Sequence, residues 1–326
     1  MRASPSAPRV SIVLATDSYD TLRPVIASLG QQRDRADFEV LVIGTAESLG
    51  AVDWSQLSAF GAARVVYVPA PFSLAGARGA GVRAAAAPIV FIGETHSFPH
   101  PGMLSSMLAG FTDERCVAVV PAIANANPAS ALSWASYLAD YGFWGPERPA
   151  GLLERPLVHN TAFRRDALLA LGEPLAVLLD CNREELWPLL HQQGYHARFV
   201  PAAQTDHVNA AELGALLKIR FFAGAMIGAR RAHRWTWPRR LLYVAASPLI
   251  PALLVWRVRS VVRFRAAHQR LPGGTMAGVA VGAVVTALGE VCGYLGIRLP
   301  SAEAQLIDAE LHKLRYARLG PEMSGL

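Results

Sequence analysis

Residues 9–45 read RVSIVLATDSYDTLRPVIASLGQQRDRADFEVLVIGT, and the order of residue types in this stretch decides the fold. RVSIVLAT (9–16) is an unbroken apolar run, rich in β-branched residues, that ends at a polar turn. That is the pattern of a strand buried on both faces of a parallel sheet. TLRPVIASLGQQ (21–32) sets Leu22, Val25, Ile26 and Leu29 on one helical face, and FEVLVIGT (38–45) repeats the strand pattern. ARVVYVPA (63–70), the small-residue helix GARGAGVRAAAA (76–87) and the strand PIVFIGET (88–95) continue it. Strand–helix–strand alternation with short connections predicts an α/β fold, a mostly parallel Rossmann-like sheet with flanking helices. Ligands of such sheets bind beyond the carboxyl ends of the strands. Here those places hold Thr16 to Asp20, Gly44 to Glu47, and Glu94 to His96.

Composition narrows the class. Of 326 residues, 52% are hydrophobic and 17% charged, with a mean hydropathy of +0.26, too apolar for a freely soluble enzyme. A disordered chain, a coiled coil and a disulfide-stapled domain are excluded. Cys116, Cys181 and Cys292 are odd in number and far apart, which fits a reduced, cytosol-facing domain. The first apolar run soon meets Asp17 and Asp20, which argues against a signal peptide. Abundant Ala and Arg with almost no Lys suggest a GC-rich bacterial genome.

The net charge of +6 hides an asymmetry. Residues 1–212 carry 15 basic and 20 acidic side chains, whereas residues 213–289 carry 12 basic and none acidic. The basic block is interleaved with LLYVAASPLIPALLVW (241–256) and TMAGVAVGAVVTALGEVCGYLGI (275–297). Cations beside apolar segments point to an anionic membrane leaflet, and nucleic acid is not expected as a partner. The first segment has 16 residues, two prolines and arginines at both ends, so a re-entrant or interfacial placement is expected. The second is long enough to span, but Glu290 and its glycines make it a poor lone helix in lipid. Glu290 reads as an interfacial or helix-paired acid, and the two segments could form a hairpin in one leaflet.

From 116 onward the pattern is looser: a strand (116–124), an aromatic-rich helix and loop (131–145), and a turn leading into a helix (159–172). Residues 184–209 read as helix, glycine turn, short strand and a histidine-bearing loop. Taken in order, these features over about residues 9–209 resemble the family-2 glycosyltransferases of the GT-A fold. The resemblance is carried by SIVLAT, by Ser28-Leu29-Gly30-Gln31-Gln32, by Glu39-Val40-Leu41-Val42-Ile43, and by Ala77-Arg78-Gly79-Ala80-Gly81. It continues in Phe91-Ile92-Gly93-Glu94-Thr95-His96, in Pro99-His100-Pro101-Gly102, in His159, Asn160, Arg164, Arg165 and Leu168, and in Gly194, Tyr195, Pro201 and His207.

What the resemblance implies is an inverting, hexosyltransferase-like enzyme that uses a nucleotide-sugar donor. Donor-side residues would be Thr16, Asp17, Asp20, Gly44, Thr45, Arg78, Glu94, Thr95 and His96; acceptor-side residues would be His159, Asn160, Trp144 and Arg164. A divalent cation, Mn²⁺ or less suitably Mg²⁺, would sit on Glu94, His96 and His207. Relatives place an acidic base before the helix that leads to the Gly-Tyr turn, and the candidates here are Asp180, Glu184 and Glu185. Two departures stand out: Gly44 or Thr45 replaces the nucleotide-binding Asp, and Glu94-x-His96 replaces Asp-x-Asp.

The expected division is a GT-A domain at 1–212 (donor half about 9–115, acceptor half about 116–212), a basic and apolar membrane-associated helical region at 213–300, and a tail at 301–326. The acceptor is expected to be lipid-linked or an envelope glycan, and the place the cytoplasmic side of the inner membrane. A different class stays open: a catalytically silent GT-A-like module anchored to the membrane as a binding or assembly partner. Nucleotidyl transfer lacks the glycine-rich basic loop it would need near the N-terminus.

Overall fold

The computed structural model describes residues 7–180, 185–265 and 270–317. The strands, in chain order, are β1 (Val10–Ala15), β2 (Phe38–Gly44), β3 (Ala62–Tyr67), β4 (Ile89–Ile92), β5 (Ser97–Pro99), β6 (Cys116–Asn125), β7 (Gly151–Leu153), β8 (Thr161–Arg164) and β9 (His196–His207). The helices among them are α1 (Arg23–Leu29), α2 (Trp54–Leu57), α3 (Leu74–Ala84), α4 (Met103–Ala109), α5 (Ala131–Asp140), α6 (Arg165–Leu169), α7 (Leu175–Leu178) and α8 (Leu186–Gln192). After the last strand come α9 (Leu213–Ala232), α10 (Trp237–Ala246), α11 (Leu249–Arg265), α12 (Thr275–Tyr294) and α13 (Ala302–Leu311). Two compact units result: Met1–Ala124 with Arg148–Asp206, and Asn125–Glu147 with His207–Leu326.

The first unit is built on the sheet, ordered β3-β2-β1-β4-β8-β6-β9-β5, with β7 paired to β9. Strands β3, β2, β1 and β4 run parallel, and β4 meets β8, and β8 meets β6, in antiparallel register. Every residue of β1, β2 and β4 is buried, as their unbroken apolar runs require. Helix α3 packs closely on two sides because its residues are small: a Cβ on Gly81 would stand 2.5 Å from Val13 Cγ1 of β1, and one on Gly79 3.0 Å from Ala176 Cα of α7.

The structure differs from the sequence expectation at two strands. The segment read as a turn leading into a helix from 159 contains β8, only four residues long and too short to show a period. The histidine-bearing loop is the end of β9, whose twelve residues alternate too irregularly to reveal their length.

One buried acid ties three segments of this unit together. Glu39, 2% exposed on β2, accepts from Ser11 Oγ (2.6 Å), from the Ala86 N–H (2.9 Å) and from Arg64 (2.6 Å). Burial alone would raise its pKa, but the Ser11 hydroxyl, the Ala86 N–H and the Arg64 guanidinium together hold it below its ordinary 4.5. A depressed carboxylate pKa stabilises the fold above the unfolded value, and that contribution disappears as pH falls through the folded value. The stability gap between wild type and Glu39→Gln is therefore expected to be widest near neutrality and to close in acid. Denaturant titrations at several pH values measure it, and a gap independent of pH refutes this role.

In the second unit α12 packs on α9 and α5. Gly224 and Gly228 of α9 face the main chain of α12 at Thr286 and Glu290, and Gly289 and Gly293 of α12 face α9 at Phe221, Ala225 and Ala229. Glu290, read from sequence as an interfacial or helix-paired acid, is 4% exposed and helix-paired: it meets Arg231 Nη1 at 2.8 Å and accepts from the Tyr294 hydroxyl. Arg220 of α9 forms a two-pronged pair with Asp140 of α5 (2.7 and 2.9 Å).

Candidate metal and donor site

The parallel order β2-β1-β4 brings the loops after these three strands side by side, and β8, antiparallel to β4, delivers its leading residues to the same edge. Ile92 pairs with Thr161, so the residues after β4 face those before β8. Gly93 follows β4 where a Cβ would stand 2.6 Å from Leu14 Cδ2, and the chain then turns through Glu94, Thr95 and His96, each under 5% exposed.

Glu94 is held by the residue just before β8 and by the first residue of β5. Asn160 Nδ2 (2.5 Å) and Ser97 Oγ (2.7 Å) both donate to Glu94 Oε2, and His159 Nε2 lies 3.5 Å from Glu94 Oε1. Asn160 reaches this position through a left-handed backbone (φ 51°), with its N–H bonded to the Ile92 carbonyl at 2.7 Å. Asparagine tolerates that conformation better than most residues.

Glu94, His96 and His207 are buried, each offers one ligand atom, and these three atoms lie within 4.8 Å of one another. His207 is placed by β9, of which it is the last residue, and is 0% exposed. A carboxylate kept from water is costly unless a cation accompanies it, and one carboxylate with two imidazoles is a donor set suited to a first-row divalent ion. The residues present fit such an ion.

The other expected residues fall in several places. Thr16, fully buried, donates to the Ser18 carbonyl or shares a proton with Thr21, and so shapes the loop after β1. Asp17 is half-buried, and Asp20 is exposed and pairs with Arg23 at 2.8 Å. Gly44 sits where a Cβ would come within 2.6 Å of the Thr16 carbonyl, a steric reason that no aspartate stands there; Thr45 bonds Ser48. Arg78 is 2% exposed and donates to the Leu179 carbonyl (3.3 Å). Arg164 donates to the carbonyls of Cys116 and Asp113 and stacks over Phe111, structural contacts on the sheet.

Asp180 is half-buried and Glu185 exposed, whereas Glu184 lies outside the described residues. Trp144 ends a short 3₁₀ turn in the second unit and meets Phe143 edge-on at 6.4 Å. Ser97, three residues after Glu94, was not anticipated; an acid followed at that interval by serine was the available signal. Gln32 ends the Ser-Leu-Gly-Gln-Gln stretch, donating to the His100 carbonyl (2.7 Å) and accepting from the Leu104 N–H (3.2 Å). It thereby fixes the Pro-His-Pro-Gly turn behind the Glu94 loop.

A search of curated protein sequences returns no match. Among solved structures, the chain is similar to a mannosyltransferase from Pyrobaculum calidifontis in complex with GDP-Man and Mn²⁺, with 17% identity over 91% of each chain and a TM-score of 0.55. That likeness establishes a shared GT-A fold. A weaker likeness, TM-score 0.44 and 15% identity over 63% of this chain and 44% of the other, is to GalNAc-T7 with UDP, GalNAc and Mn²⁺. Residues 11–171 match the family model described as glycosyl transferase family 2, the span that contains Thr16, Gly44, the Glu94–His96 turn and Asn160.

Proposed function

We propose that the protein transfers a sugar, with inversion, from a nucleotide-sugar donor to a membrane-linked or envelope glycan acceptor, in a metal-assisted reaction. The observation that carries this reading is the buried Glu94, His96 and His207 group on the edge that collects the carboxyl ends of the parallel strands. A divalent cation bound there supplies positive charge against the departing diphosphate. Glu94 holds its orientation through Asn160 and Ser97, so its charge is aimed before substrate arrives. The loops after β1 and β2, shaped by Thr16 and Thr45, line the donor side. His159 stands on the acceptor side of Glu94. Asp180, Glu184 or Glu185 takes the proton of the acceptor hydroxyl while the sugar carbon passes through an oxocarbenium-like state.

Ligand-detected NMR of the detergent-solubilised chain against a panel of nucleotide sugars, with and without Mn²⁺, tests the donor half. Binding that needs Mn²⁺ supports the reading; folded protein that binds no donor leaves the anchored, catalytically silent module as the working one. For the base, Asp180→Asn, Glu184→Gln and Glu185→Gln are compared: one is expected to lower turnover by about 10²–10⁴-fold with donor binding intact. Equal activity in all three removes these residues from the mechanism.

Residues 1–212 are read as the transfer domain, 213–300 as the membrane-associated region and 301–326 as a tail, on the cytoplasmic face of the inner membrane. Support comes from α10 and α11, which carry exposed Trp237, Leu242, Leu249 and Trp256 beside exposed Arg239 and Arg257. Helices α10 and α11 bend by 57° at their break, while α12 is the one described helix long and apolar enough to cross a membrane, with half of its apolar window buried. Flotation with vesicles is expected to recover the protein with anionic lipid and much less with zwitterionic lipid, and to weaken in Trp256→Ala/Arg257→Ala. Equal recovery on both lipids refutes the electrostatic component.

A further inference from the structure

The hydrogen bonds behind His207 decide which of its ring nitrogens carries the proton. Its Nδ1 lies 3.1 Å from Asn209 Oδ1, and the Tyr141 ring covers it at 4.1 Å between centroids. An amide can be turned either way, so the orientation of Asn209 has to come from its other partners. Asn209 Nδ2 lies 2.9 Å from the His207 carbonyl and 2.9 Å from Asn125 Oδ1. A main-chain carbonyl only accepts, so the atom facing it is the amide nitrogen and the oxygen faces the imidazole.

The neighbours are locked by the same logic. Asn125 Oδ1 accepts the Asn127 main-chain N–H at 3.3 Å, which fixes Asn125 as the acceptor of the Asn209 amide. Asn127 is fixed twice by the main chain of Asn209: its Nδ2 donates to the carbonyl at 2.8 Å and its Oδ1 accepts the N–H at 3.0 Å. Ser133 Oγ lies within donor distance of both Asn125 Oδ1 (2.9 Å) and Asn127 Oδ1 (2.8 Å). Each amide in the network is therefore tied to a main-chain group, and none can flip without setting two acceptors or two donors face to face.

An amide oxygen has no proton to give, so the proton between Asn209 and His207 sits on Nδ1, and a neutral ring then has its lone pair on Nε2. We infer that Asn209, braced by Asn125, Asn127 and Ser133, is a positioning residue that holds His207 in the Nδ1–H tautomer and so presents Nε2 as a ligand for a divalent cation. The inference rests on the metal reading above. His96 differs: its Nδ1 meets the Thr95 hydroxyl at 3.1 Å, which can donate or accept and leaves the tautomer open.

Two measurements on the full chain in detergent test it. Long-range ¹H–¹⁵N correlation of the histidine rings, with His207 assigned by its loss in His207→Gln, is expected to show the Nδ1–H form in metal-free wild type. Mn²⁺ titration by electron paramagnetic resonance is expected to show about 10–100-fold weaker binding in folded Asn209→Ala, the usual effect of removing a ligand's outer partner. Wild type that binds Mn²⁺ with His207 in the Nε2–H form overturns the inference alone, as does unchanged Mn²⁺ affinity in Asn209→Ala. Wild type that binds no Mn²⁺ overturns the metal reading and the inference with it. The ring spectrum is read on unmutated protein, so a variant that fails to fold does not shield the inference.

Discussion

Glu94→Gln is expected to lose Mn²⁺ binding and to lower sugar transfer by about 10³-fold or more, with the domain still folded. Glutamine has the shape of glutamate, and its amide oxygen can still accept from Asn160 Nδ2 and Ser97 Oγ, the two donors that hold Glu94 Oε2. The fold is spared because no buried donor is stranded, a loss that costs about 1–3 kcal/mol per group. Missing is the negative charge that, together with the imidazoles of His96 and His207, suits a divalent ion. Charge stabilisation by such an ion amounts to several kcal/mol, and each 1.36 kcal/mol is about tenfold in rate. Isothermal titration with Mn²⁺ and a radiolabelled-sugar assay measure the two losses, with the thermal midpoint as the check on folding. A folded Glu94→Gln that binds Mn²⁺ like wild type removes Glu94 from the metal site.

Asn160 shows where sequence reasoning stopped short. Its place in His159-Asn160 points to the acceptor side, and its side chain also donates to Glu94, 66 positions away, a contact the sequence does not show. Nothing in the chain between them advertises that contact: it follows from β8 pairing antiparallel to β4, and β8 is too short to be read as a strand. The parallel half of the sheet was legible because burial on both faces forces unbroken apolar runs on β1, β2 and β4. Glu94-x-His96 was legible for a related reason, since polar residues directly after such a run sit at the strand's carboxyl end. Asn209 was not legible, because an asparagine two residues beyond a histidine acquires meaning only once Asn125, Asn127 and the His207 carbonyl surround it. Glu39 belongs between these cases: an acid inside a buried run signals a partner, but Arg64 and Ser11 emerge only when β1, β2 and β3 are laid side by side.

Gly289→Ala is expected to destabilise the second unit by about 1–3 kcal/mol, although alanine is the better helix former by about 1 kcal/mol. The sign is decided by the α9–α12 contact. A Cβ on Gly289 would stand 2.1 Å from the Phe221 carbonyl oxygen, and one on Gly228 2.4 Å from the Glu290 carbonyl oxygen. Both obstacles are main chain, which cannot swing aside as a side-chain tip can, so the helices must separate. Separation also pulls Arg231 from Glu290, now 2.8 Å apart, and leaves a carboxylate of 4% exposure short of its cation. Gly282 in the same helix is the control. A Cβ there would meet nothing nearer than Arg220 Cγ at 3.6 Å, an ordinary contact. Gly282→Ala is therefore expected to be neutral or stabilising by up to about 1 kcal/mol. Were α12 a lone membrane span, all three substitutions would act alike and favourably; in a helix clamped to α9, Gly289→Ala and Gly228→Ala lower the thermal midpoint while Gly282→Ala does not. Denaturation of the three variants in one detergent, followed by circular dichroism, separates the cases by sign alone, and a stabilising Gly289→Ala breaks the helix pair as described.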